Sequence, residues 1–204
     1  MKDKLEEFLQ ENSRIFHSEA DLQHSLAMYL ESELENSDIR LEREFLQDEK
    51  GKRSYLDILV ISNDSKIPIE LKYKTKGLET KIDGESYNLK NQQAENKNRR
   101  AVVEDIHRVE KYVEDHGEKG YVVFLTNNGL CWNGDRARKE HPQDEDFRLH
   151  EGKELEGTLK WKGSKDPEPI SLNGTYNLSW ESYNYQNQPD RKEAEFKYLL
   201  IEVT

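Results

Sequence analysis

The chain has 204 residues, the size of one ordinary domain, and only 33% of them are hydrophobic, so long polar loops are expected around a single core. Its 31 Lys and Arg against 42 Asp and Glu give a formal charge of −11, which argues against a wholly basic surface for gripping nucleic-acid phosphates. No stretch nears the roughly 18–20 apolar residues of a membrane span, residues 1–7 lack a signal peptide's apolar segment, and the one cysteine, Cys131, closes no intramolecular disulfide; a reducing, cytoplasmic setting is expected, with no membrane partner.

Residues 4–10 are a short helical candidate. A stronger one begins at Ser18, where Ser18 and Asp21 form a capping-box-like pair and Leu22, Leu26, Leu30 and Leu34 make a stripe that ends at Asn36-Ser37. Residues 39–45 alternate Ile39, Leu41, Arg43 and Phe45 with Arg40, Glu42 and Glu44, the period of a strand with one covered face. After a turn at 47–52, residues 55–61 read as a buried strand interrupted by Asp57, and 67–74 as its alternating neighbour. Residues 75–98 are polar without a clear apolar period, so a functional loop, a disordered one or a loop with a short helix is expected. Val102, Ile106, Val109 and Val113 form a second helical stripe stopped by Gly117, and 121–126 is a short buried strand ended by Asn127-Asn128-Gly129. Residues 135–169 are charged and sparsely apolar. The 35 that follow, with strand-like 176–180 and 196–203, are too few for a core of their own and are expected to return to the same sheet, giving one α/β domain over 1–204.

The chemistry concentrates at Asp57 and Glu70-Leu71-Lys72. If the two strands close as an antiparallel hairpin at Asn63-Asp64, opposite residues sum to 127, and Asp57 faces Glu70 with Cβ atoms about 4.5–5.5 Å apart. Two acids so placed repel and resist burial unless a cation or proton lies between them. Alternation along the second strand puts Lys72 on the same side, ready for an anion or hydroxide. Oxygen ligands without a His or Cys cluster favour Mg²⁺, with Mn²⁺ as substitute, and such a site suits phosphoryl transfer. A structural Asp–Lys–Glu ion-pair cluster is the alternative.

These residues resemble the signature of the PD-(D/E)XK nuclease superfamily, the restriction-endonuclease-like proteins: an acid on one strand and Glu/Asp-x-Lys on the next, matched by Asp57, Glu70 and Lys72. The resemblance covers about residues 14–126 and implies an αβββαβ core with a mixed central sheet and additional C-terminal strands. It implies a Mg²⁺-dependent deoxyribonuclease in which Asp57, Glu70 and the Leu71 carbonyl ligate metal and Lys72 positions the attacking water. It also calls for an acid on the preceding helix, which Glu19 answers from the middle of the stripe of Leu22, Leu26 and Leu30. Leu56 stands where the name-giving motif has proline, which lowers the specificity of the match. Many such folds cut two strands by pairing, so a homodimer is compatible with this likeness.

DNA binding is expected from the chain's one net-positive stretch, residues 66–111, with 11 Lys and Arg against 8 Asp and Glu. Lys74, Lys76, Lys97, Arg99 and Arg100 follow the motif and are candidates for the phosphate backbone; Arg108 either meets a phosphate or pairs with Asp105, and a solvated loop is the plainer reading of the rest. A nucleic-acid-binding or protein-interaction module with catalysis weak or lost is the rival function. The six histidines show no convergent ligand spacing, and no Gly-rich phosphate loop is present.

Overall fold

The computed structural model describes residues 1–12, 14–47, 53–62, 65–92, 94–116, 119–133, 142–162 and 167–204. Of the expected turn at 47–52 only Gln47 is described, as the last residue of a strand, and residues 63–64, the Gly117 stop and the start of the charged segment, 135–141, lie outside the described residues.

Two helices open the chain, α1 (Lys2–Glu11) and α2 (Glu19–Glu33). The Ser18 hydroxyl accepts the Asp21 N–H at 3.1 Å, as the capping pattern requires, while the Asp21 carboxylate turns back to the His17 N–H. Three strands follow, β1 (Ser37–Gln47), β2 (Arg53–Ser62) and β3 (Ser65–Lys74), then a small hairpin of β4 (Leu78–Ile82) and β5 (Glu85–Leu89). The long helix α3 (Glu95–His116) leads into β6 (Gly120–Thr126), and β7 (Glu154–Leu159), β8 (Ile170–Asn177), β9 (Trp180–Tyr183) and β10 (Phe196–Val203) complete the chain.

Six strands form one mixed sheet in the order β1-β2-β3-β6-β10-β9, in which only β3 and β6 run parallel. The fold class is therefore α/β. One face, with Ile58, Val60, Ile69, Leu71, Tyr73 and Val123, packs on α1 and α2; the other, with Val122, Phe124, Leu199 and Ile201, packs on α3 and the β7–β8 hairpin. The C-terminal strand 196–203 joins the sheet as expected, through β6. Tyr176 does not: it belongs to β8, which pairs only with β7, and the chain returns to the sheet at Trp180.

Two expectations need correction. The polar stretch 75–98 contains the β4–β5 hairpin, whose Leu78, Ile82, Tyr87 and Leu89 are buried against the α1–α2 core. Its turn is Asp83-Gly84, both with positive φ (48° and 89°), the conformation that a two-residue hairpin favours. The alternation of β1 also marks no single covered face. Leu41 is 41% exposed, and while Ile39 lies against the α2 side, Phe45 packs in a separate cluster with Leu56, Leu59 and Tyr112. The break falls at Glu42, whose φ of 50° resets the side-chain alternation of this edge strand.

Candidate active site

The β2–β3 hairpin has the register that the sequence demands, with Ile58 opposite Ile69 through Ser62 opposite Ser65. The ladder stops there, and β2 turns away from β3 at Asp57. Leu56 and Leu59, three residues apart, share one cluster while Ile58 sits on the opposite face, which regular alternation does not allow. From α2, the Gln23 side chain donates to the Asp57 carbonyl (2.7 Å) and to the Glu42 carboxylate (2.9 Å), pinning the irregular pair Glu42 and Asp57.

The backbone groups that β2 abandons are taken by acids. Asp57 Oδ2 accepts the Leu71 N–H at 2.6 Å, and Glu19 Oε2 accepts the Tyr73 N–H at 2.7 Å. Strand geometry puts the Leu71 carbonyl on the same edge as its N–H. Glu19 also pairs with Lys74 Nζ at 3.0 Å, so it caps the edge of β3 beside Asp57.

Glu70 and Lys72 project to the α3 face, level with Val122 and Phe124 of β6. Glu70 is fully buried, and among the described residues neither carboxylate oxygen meets the geometry of a hydrogen bond. Arg108 from α3 brings a guanidinium nitrogen to 2.7 Å from Glu70 Oε2, an ion pair whose angles fall short of a hydrogen bond, and lies 3.1 Å from Asp105 Oδ1. Asp105, 1% exposed, has its other oxygen 3.0 Å from Lys72 Nζ. Among the described residues, Asp57, Glu70 and Asp105 thus share two close cations, Lys72 and Arg108, so acids outnumber bases in this largely buried cluster.

The electrostatics follow. Burial first, and the Asp57 charge second, push the Glu70 carboxyl well above the ordinary range. Burial also raises Asp57, against the Leu71 N–H that favours its ionised form, and raises Asp105 to about 6. Lys72 is pulled both ways: burial lowers it, but Asp105, then Glu19, carry it above its usual value, which favours the ammonium form.

Among the described residues no three His, Cys, Asp or Glu side chains converge as a ready-made metal cage. The donor set still fits a hard cation of modest demands. Mg²⁺ is commonly held by one or two carboxylates with waters completing its shell, and Glu70 supplies a buried carboxylate beside Asp57, of which Oε1 has no partner among the described residues and Oε2 is shared with Arg108. Asp57, Glu70 and the Leu71 carbonyl could hold it.

The expected DNA-binding side chains are not brought together. Lys76 pairs with Glu95 at 2.6 Å, Arg100 with Glu104 at 2.8 Å, and Lys97 is exposed. Arg99 is buried, and its Nε donates to Asp144 Oδ2 at 2.8 Å. Arg108 belongs to the acid cluster. Sequence reasoning missed Asp105 as the partner of Lys72. Its position beside the α3 stripe was readable, but the residue facing it across the sheet was not.

No family model matches this chain, and neither the curated proteins nor the solved structures hold a match to it. Among the described residues no helix is long and apolar enough to cross a membrane.

Proposed function

We propose that the chain is a divalent-metal-dependent nuclease of restriction-endonuclease-like architecture that hydrolyses DNA phosphodiester bonds in a reducing, cytoplasmic setting. The observation that carries this reading is the forked β2–β3 edge, where Asp57 is tied to the Leu71 N–H beside a buried Glu70 whose Oε1 has no hydrogen-bond partner among the described residues and whose Oε2 meets Arg108 in an ion pair. The element order α2, β1, β2, β3, β4, β5, α3, β6 is compatible with the αβββαβ order that the motif resemblance implies if the β4–β5 hairpin is an insertion between β3 and α3.

A Mg²⁺ or Mn²⁺ ion held by Asp57, Glu70 and the Leu71 carbonyl would supply Lewis-acid polarisation of a phosphate oxygen. The chain supplies the rest. Lys72, fixed by Asp105, donates to the attacking water and offsets charge developing on the phosphoryl oxygens. Gln23 and Glu19 hold the strand edge open so that the two acids and the lysine stay on it. The rival is a structural cluster on a binding or interaction module, and the Arg108–Glu70 contact favours it because a cation already attends that acid.

Digestion separates the two. Wild-type protein with Mg²⁺ or Mn²⁺ should cut at least one of supercoiled, linear and single-stranded DNA, and Lys72→Ala should slow this on the order of 10²-fold or more. No cleavage under either metal, or equal cleavage by Lys72→Ala, overturns the nuclease reading. A second expectation concerns the ligands themselves: free Mg²⁺ at 100 times its dissociation constant should stabilise the wild type by about 2.7 kcal/mol, and Glu70→Gln should blunt that shift. Equal thermal shifts in both proteins would remove Glu70 from the ligand set.

A further inference from the structure

Chain leaving the carboxyl ends of the parallel pair β3 and β6 lines an open cavity of about 790 Å³, within the range of small-molecule sites. Such strand ends are where open α/β sheets bind ligands. The cavity begins four residues beyond Lys72, at Lys76 and Gly77.

Its frame is built in advance. Asn127, buried at the end of β6, accepts the Lys76 N–H (2.7 Å) and donates to the carbonyls of Lys76 (3.3 Å) and Glu193 (2.6 Å), so one side chain staples three segments. Thr75 N–H donates to Gln92 and the Thr75 hydroxyl to the Lys90 carbonyl, fixing Asn91 between them. Asn128 Oδ1 accepts the Leu130 N–H, and Asn133 N–H donates to the Gly129 carbonyl, shaping the opposite wall.

The unused groups define the ligand. Asn91 and Asn133 expose amides that meet no hydrogen-bond partner among the described residues, and Leu130, 51% exposed, offers an aliphatic surface between the segments. The ionic groups nearly cancel: Lys76 is taken by Glu95, and Lys192 stands with Glu193 and Glu195. Phosphate is therefore a poor occupant. A planar, neutral heterocycle with donors and acceptors along its edge suits two free amides and an apolar face, and Asn is a standard bidentate reader of such an edge.

We propose that this cavity binds an unstacked nucleobase of the strand whose phosphate lies at Glu70 and Lys72; the assignment of the strand rests on the nuclease reading above. The chain leaves β3 at Lys74, so the four residues from Lys72 to Lys76 reach at most about 13 Å, a nucleotide or two along an extended strand, which lets base and phosphate engage together.

The test uses the whole protein in EDTA, with fluorescently labelled short single strands read by anisotropy. An abasic nucleotide is walked along the strand, and free deoxynucleosides serve as competitors. One abasic position should weaken binding about tenfold or more, and Asn91→Ala/Asn133→Ala should bring the intact strand to the same weakened affinity. Competition by one deoxynucleoside, abolished in the same double variant, also supports the pocket and shows that it takes the base without the strand. Equal affinity at every abasic position, or an unchanged double variant, overturns it. Base-dependent binding without Mg²⁺-dependent cleavage would sink the nuclease reading and keep the pocket; cleavage without base dependence would do the reverse.

Discussion

Asp57→Asn should abolish metal-dependent cleavage and yet raise the melting temperature of the metal-free protein at pH 8. The asparagine keeps a side-chain oxygen for the Leu71 N–H and loses the charge that presses on buried Glu70. Relief of that repulsion is worth about 1 kcal/mol, or about 2–4 °C for a chain of this size. The pH dependence fixes the cause. Glu70 and Asp105 have folded-state values above their unfolded ones, so the fold takes up protons, and stability falls as pH rises from the unfolded carboxylate range near 4 through the folded value, about 6 for Asp105. The wild type should therefore melt higher at pH 5 than at pH 8, and the advantage of Asp57→Asn should shrink toward pH 5. Thermal melts across this range with chelator decide it. A large fall on Asp57→Asn at pH 8 would mean that its charge is half of a net favourable ion pair, and the structural-cluster reading would stand.

Local rules reach part of this site and stop at identifiable points. The hairpin register follows from turn length and alternation and is kept from Ile58–Ile69 to Ser62–Ser65, but the ladder ends before the expected pairing of Asp57 opposite Glu70, and Asp57 binds the Leu71 N–H instead. What alternation cannot supply is the break itself: Glu42 in the left-handed region and Asp57 pulled onto the Leu71 N–H are set by Gln23 reaching over from α2. Glu19 was readable as an inward-facing acid of the stripe, but its binding to the β3 backbone depends on β2 having left that edge free. The hairpin of residues 78–89 carried a usable signal in Asp83-Gly84 between Leu78, Ile82, Tyr87 and Leu89, diluted by the charged side chains on its other face. Helix α3 begins at Glu95, seven residues before its apolar stripe, because its first turns are held by ion pairs rather than by apolar packing.

Those ion pairs give the largest expected loss of stability. Arg99 and Asp144 are each about 7% exposed, 45 residues apart, and both Nε and a terminal nitrogen of the guanidinium donate to the same carboxylate oxygen. The pair joins α3 to the short 3-10 turn Glu145–Phe147, whose Phe147 is fully buried under the helix. Arg99→Ala leaves the buried Asp144 carboxylate with Arg148, 3.9 Å from its other oxygen, as a distant second cation, and should cost about 3 kcal/mol. Lys97→Ala, on the exposed side of the same turn of helix, should stay within about 0.5 kcal/mol. If the penalty is the orphaned charge rather than the missing attraction, Arg99→Met/Asp144→Leu should recover most of it, since apolar replacements of buried pairs are often near neutral. Denaturant midpoints of these variants, beside a salt series of DNA binding, separate architecture from recognition. Removing a side chain that truly grips a phosphate should reduce the slope of log affinity against log salt by about 0.9, and Arg99→Ala should leave that slope alone wherever the variant is still folded. An undiminished midpoint with a reduced slope would mean that Arg99 leaves Asp144 to grip the backbone, and the arginine would return from the core to the binding surface.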